Sequence, residues 1–239
     1  MGDLLKSATR SVSQQSCRSF AVEGQSLAKH FNPRAAAVLE YWFGPTYKLA
    51  PPNWAAKHRM AIWFGGGSEI DKELTDLFSK DLEAVASGDY DEWQHGYEAL
   101  AKIILMDQFT RNVYRHTPQM YALDSQAVTL AKQLLANGGA EELLPIMRYF
   151  VYMPLMHSEE LEDQEAMLRV TSELIKDSSA LEDSADLTAF LQNCLQFATQ
   201  HRDVVQAWGR FPHRNKLLGR DSTPQEIKGM QEGTIAQFS

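Results

Sequence analysis

Three short stretches of this chain put acids, bases and amides where their surroundings are otherwise apolar. The first is Leu105-Met106-Asp107-Gln108-Phe109-Thr110-Arg111-Asn112-Val113-Tyr114-Arg115, at the end of the most apolar run in the sequence. On a helix, Asp107 and Arg111 lie one turn apart, as do Gln108 and Asn112. Arg111 and Asn112 together suit a planar anion such as a carboxylate or phosphate, with Asp107 fixing the guanidinium. An ion pair and an amide that merely close the helix fit the same spacing, and both readings stand.

The second stretch, Tyr152-Met153-Pro154-Leu155-Met156-His157-Ser158-Glu159-Glu160, places a histidine between a proline-interrupted helix and a new helix start. Partial positive charge at a helix N-terminus favours neutral imidazole, the form that takes up a proton, and Glu159 or Glu160 can orient it. A plain N-terminal cap is the alternative role for His157.

The third runs from His201 to Arg220, where Arg202, Arg210, Arg214, Lys216 and Arg220 face only Asp203. The loop Gly209-Arg210-Phe211-Pro212-His213-Arg214-Asn215 follows a helix, so its polar side chains can converge on a ligand. Residues 157–186 hold ten acids and two bases, and mutual neutralisation of the two stretches accounts for the asymmetry equally well.

These residues define the candidate site. His157 and His213 would act as acid or base, oriented by Asp107 and Glu159, while Arg111, Asn112, Arg210, Arg214 and Asn215 bind a small anionic ligand. The alternative is a helical-repeat scaffold whose concave face takes a peptide or protein partner in an organelle, with the same residues as internal struts.

Other chemistries lack their motifs. There is no Gly-x-Ser-x-Gly elbow, phosphate-binding Walker loop or His-Glu-x-x-His helix. Glu92-x-x-His95 has the spacing of a di-iron ligand pair but no second copy. Cys17 and Cys194 are distant and form no ligand set. No metal and no cofactor is implied. With 23 Lys and Arg against 31 Asp and Glu, the net charge is −8, which argues against general nucleic-acid binding. No apolar run approaches the ~18 residues of a membrane span.

The elements that position these groups read as helices. The chain has 239 residues, 44% of them hydrophobic, enough for a full-sized core. Pro33 opens an apolar-periodic run that ends at Gly44. A second helix carries Trp54, His58, Ile62 and Trp63 up to Gly65-Gly66-Gly67, and Ser68 with Asp71 reads as a capping box for the third. Asp124 reads as the cap of a helix ending at Asn137-Gly138, and Pro154 should bend or close the helix that begins near Leu143. Glu165 and Arg169 have the spacing of a stabilising helical pair. A long helix spans about Asp186 to Trp208, and Thr223-Pro224-Gln225-Glu226 opens a short last one. Strand signals are nearly absent. The expected fold is all-α, about nine or ten helices stacked as antiparallel pairs in one domain over residues 33–232.

Residues 1–20 differ in kind. Lys6, Arg10 and Arg18 face Asp3 alone in a Ser- and Gln-rich setting, which suits a mitochondrial transit peptide or a disordered tail. Arg18-Ser19-Phe20-Ala21 would place the cut after Phe20. The expected location is therefore mitochondrial, and otherwise cytoplasmic.

Five motifs carry a family resemblance. Val38-Leu39-Glu40-Tyr41-Trp42-Phe43-Gly44, Ile62-Trp63-Phe64, Asp107 to Asn112, His157-Ser158-Glu159, and Gly209 to Asn215 with Leu218-Gly219-Arg220 resemble those of the largely bacterial domain-of-unknown-function family 924, in its order, across residues 33–232. The resemblance implies an all-helical fold similar to tetratricopeptide-repeat proteins and no stated reaction. Thr110 stands where the family usually has proline, which should let that helix run farther.

Overall fold

In the computed structural model, residues 32–238 are described. The proposed transit segment 1–20 lies outside them. All regular structure among the described residues is helical. The helices are α1 (Pro33–Phe43), α2 (Trp54–His58), α3 (Met60–Phe64), α4 (Ser68–Ser87), α5 (Gly96–Ile103), α6 (Thr110–Val113), α7 (Asp124–Asn137), α8 (Pro145–His157), α9 (Leu161–Ser179), α10 (Ala185–Trp208) and α11 (Pro224–Gln231). A π-helical segment, Ile104–Phe109, joins α5 to α6, and 3-10 turns occur at Pro118–Tyr121 and Pro212–Arg214.

The centre of the molecule is α8, nearly every residue of which is buried from Pro145 to Met156. It packs against α5, α7, α9 and α10 and the π segment. Helices α9 and α10 are joined only by residues 180–184, and so short a link leaves two long helices no choice but to run back along each other. Around α8 and the π segment an aromatic network closes the core: Phe109 lies 5.6 Å from Trp42, which lies 5.6 Å from Phe150. A smaller apolar cluster of Val204, Val205, Phe211 and Ile235 sits at the far end of α10.

Several local expectations meet a different outcome. Pro154 neither ends nor closes α8, which continues to His157. The Trp54–Trp63 helix is two helices meeting at Arg59. Ser68 is inside α4, whose N-cap is Gly67, and Asp71 is taken up by Arg115 at 2.7 Å rather than by a capping box. Asp124 is likewise the first residue of α7 and makes no cap bond. Glu165 pairs across helices with Arg202 at 2.9 Å, not along its own helix with Arg169. The Thr223 and Glu226 capping box forms in full. Without a proline at 110 the helical path does run on, through the π turns, and Thr110 Oγ1 donates to Met106 O at 2.8 Å.

Gly44 shows why α1 ends where it does. Its φ is +96°, a conformation a side chain resists, and a Cβ there would lie 2.4 Å from the Trp54 ring.

Candidate functional site

The π segment carries Asp107 into the core, where it is fully buried. Three groups compensate its charge. His157, the last residue of α8, approaches Oδ1 with Nδ1 at 2.8 Å. The Gln108 amide donates to Oδ2 at 2.6 Å, and Arg111 Nη1 lies 3.2 Å from Oδ1 while donating to the Asp107 carbonyl at 2.6 Å. Burial pushes the Asp107 pKa up, but Arg111, His157 and Gln108 outweigh it and hold the carboxyl below its ordinary range. Since an ionised carboxylate only accepts, the His157 contact requires an Nδ1–H. That tautomer leaves Nε2 with a bare lone pair. No hydrogen bond from a described residue reaches Nε2, and it is not sealed among the buried atoms that lack a partner.

His157 closes a helix rather than opening one, so the dipole around it is the reverse of the sequence expectation: the carbonyl end of α8 surrounds it. Burial, and then the positive charge of Arg111, nevertheless lower its pKa below 6.5, against the pull of Asp107 and Asp124. The imidazole is neutral at neutral pH.

Asp124, which the sequence offers only as a helix cap, belongs to the cluster. It accepts from Arg111 through two bonds of 3.0 Å and lies 3.8 Å from Arg214. Arg214 donates from Nη1 to His157 O at 2.9 Å, and its guanidinium lies 4.8 Å from the Tyr121 ring and 4.3 Å from that of Phe211. Its Nε is buried without a partner, as is Nδ1 of His213.

Three distant stretches thus meet: Asp107 and Arg111, then His157, then Arg214. They meet on each other. Where the sequence leads one to expect these groups to converge on a ligand, Asp107 and Asp124 lie between the cations and form ion pairs with them. Hollows do occur elsewhere, one beside Phe43, Tyr47 and Met147 and another, a shallow groove, along Leu168, Ser172 and Lys176.

Other candidates are drawn off to different tasks. Glu159 does not orient His157; it accepts from Arg220 at 2.5 and 2.9 Å and from Phe211 N at 2.8 Å. Burial raises its pKa, but these donors reverse the effect and lower it. Arg210 is bound to Glu226 at 2.7 and 2.8 Å, fastening α11 to the loop. Asn215 joins that side, donating to Ser222 at 3.0 Å and accepting from Arg220 at 3.0 Å. Asn112 accepts from Arg115 at 2.6 Å, facing α4 rather than the cluster. The pairing of Glu159 with Arg220 and of Glu165 with Arg202 realises the neutralisation of the acidic and basic stretches.

His201 is an omission from the candidate residues. Its ring is 6.2 Å from that of His157 and 5.7 Å from Phe211, and it stacks on Phe238 at 3.5 Å. Its only signal in the sequence is a histidine on an apolar helix face. Among the described residues, no group of three or more His, Cys, Asp or Glu is placed to hold a metal ion, and no helix is long and apolar enough to cross a membrane.

Comparison with known proteins adds kinship without a reaction. A family model described as a bacterial protein of unknown function (DUF924) matches residues 38–234. A solved structure of a protein of unknown function from Agrobacterium tumefaciens is 30% identical, with 83% of this chain and 97% of that one covered at a TM-score of 0.64. No curated protein matches the chain.

Proposed function

The chain belongs to the DUF924 family, and we propose that it binds a small anionic ligand, a carboxylate or a phosphate, and exchanges a proton with it through His157. The carrying observation is the 2.8 Å contact between His157 Nδ1 and Asp107, which leaves Nε2 as an unengaged base. Asp107 holds the imidazole in one tautomer and one orientation, and it stabilises the imidazolium that forms when Nε2 takes a proton. Arg214, fixed to the His157 carbonyl and flanked by two aromatic rings, supplies positive charge beside the imidazole. No metal enters this reading.

One observation favours a second reading: the Arg111 guanidinium already has Asp107 and Asp124 as partners, so the cluster serves equally as a strut within a scaffold for a protein partner. A thermal-shift screen with small carboxylates and phosphates separates the two. Ligand present at a hundred times its dissociation constant stabilises the native state by about 2.7 kcal/mol. We expect such a rise in the wild type and its loss in His157→Gln and in Arg214→Gln, each checked for fold by far-UV circular dichroism. A rise that survives both substitutions, or no rise with any anion, overturns the proposal in favour of the strut.

A further inference from the structure

Beside the proton-transfer pair, the chain lays one of its own aromatic rings into a cage of side chains. Phe238 stacks on His201 with ring centroids 3.5 Å apart and planes within 17°. Phe211 meets it edge-on at 5.9 Å and 86°, and His213 at 5.8 Å and 78°. The two edge-on contacts are of the kind that aromatic quadrupoles favour around a flat ring, while His201 lies face to face with Phe238 with almost no offset, so that the slot is as thin as one planar ring. The cage is continuous with the candidate site: His201 is 6.2 Å from His157, and the Arg214 guanidinium lies 4.3 Å from the Phe211 ring.

The polar groups around the cage are not matched to a phenyl ring. Arg214 Nε and His213 Nδ1 are both buried without a partner; His213 meets the Phe238 ring edge-on and the Arg214 guanidinium lies over the Phe211 wall, so neither ring offers these nitrogens a conventional hydrogen-bond partner. Buried donors of this kind usually have an acceptor. The segment that brings Phe238 here puts Ile235 in the small cluster with Val204, Val205 and Phe211, apart from the main core, and is tied by Thr234 N and Ile235 N to Gly229 O.

We infer that the cage of His201, Phe211 and His213 is the ring-binding half of the ligand site, that its ligand is a planar aromatic acid, and that Phe238 is a built-in stand-in which the ligand displaces. This rests on the anion-binding reading above and narrows its ligand class: the ring takes the place of Phe238 and the carboxylate meets Arg214 and His213.

Benzoate, cyclohexanecarboxylate and acetate test it, titrated calorimetrically into the wild type, Phe238→Ala and Phe238→Leu in the full chain. The first variant empties the cage, and the second keeps apolar bulk without a planar ring should the alanine variant prove unstable. We expect Phe238→Ala to bind benzoate about tenfold more tightly than the wild type, the worth of one good aromatic contact. Phe238→Leu should gain less, cyclohexanecarboxylate should gain little and acetate nothing. An unchanged benzoate affinity, or an equal gain for the non-planar acid, overturns the ring-site inference. If acetate then still binds in a manner that needs His157, the anion reading survives alone; if no acid binds any of the proteins, both fall.

Discussion

Arg214 donates to the carbonyl oxygen of His157 at 2.9 Å, so the loop after α10 is fastened to the end of the helix that carries the imidazole. The bond satisfies a carbonyl that the helix itself leaves open and puts a cation at the negative end of its dipole. Replacing Arg214 by Lys keeps the charge but loses the planar fork that lies between Tyr121 and Phe211. We expect a loss of about 1–3 kcal/mol in urea unfolding, together with a change in the His157 imidazole resonances. A variant as stable as the wild type, with those resonances unmoved, would show that the bond holds nothing in place.

Asp107→Asn removes the one carboxylate in contact with both His157 and Arg111. Breaking a buried ionic cluster from one side leaves its cations uncompensated, so a loss of about 3 kcal/mol is expected. Because Asp107 is among the groups that raise the His157 pKa, the substitution should lower that pKa further. Imidazole titration by NMR checks the sign, and a rise would mean that Asp107 is not the partner of His157.

Acid should weaken the fold well before its carboxylates titrate. Burial lowers the pKa of His201 to about 3 and that of His213 to about 4, and burial with Arg111 lowers that of His157. The groups facing His201 are His157 on α8 and His213 and Arg214 on the loop, each of which opposes a new positive charge. A histidine whose folded pKa lies below its unfolded value of 6.5 gains its proton on unfolding, so stability is full above pH 6.5 and falls as the pH drops towards the folded pKa. For a fully buried imidazole the slope is about 1.4 kcal/mol per pH unit. Melting temperatures from pH 8 to pH 4.5 should therefore decline below pH 6.5, and His201→Phe, which keeps a ring against Phe238, should flatten the decline. A flat profile from pH 7 to pH 5 would remove the buried neutral histidines from the account.

Much of this architecture can be read in the chain itself. The Thr223 capping box, Gly209 as the left-handed end of α10 at φ 67°, and burial throughout residues 99–110 follow from rules that act within one or two helical turns. What failed are details that a distant residue decides. Asp71 can cap α4 only if Arg115 does not claim it, and Glu165 can pair with Arg169 only if Arg202 is not closer. Pro154 breaks a helix in isolation, yet α8 is buried along nearly its whole length and continues past the proline to His157.

The site divides along the same line. That Asp107, Arg111, His157 and Arg214 stand out is visible from their types alone, because polar groups in apolar stretches are costly and need a reason. Which of them touch is not. The Asp107–His157 contact spans fifty positions of chain and the Arg214–His157 bond fifty-seven, and only the packing of α8 between the π segment and α10 closes those distances. Helix type, chain punctuation and charge balance are local or additive quantities, so the order of residues determines them. The pairing of acids with bases, the proton left on Nδ1 and the ring that Phe238 lays on His201 are set by mutual burial, which exists only once the helices have met.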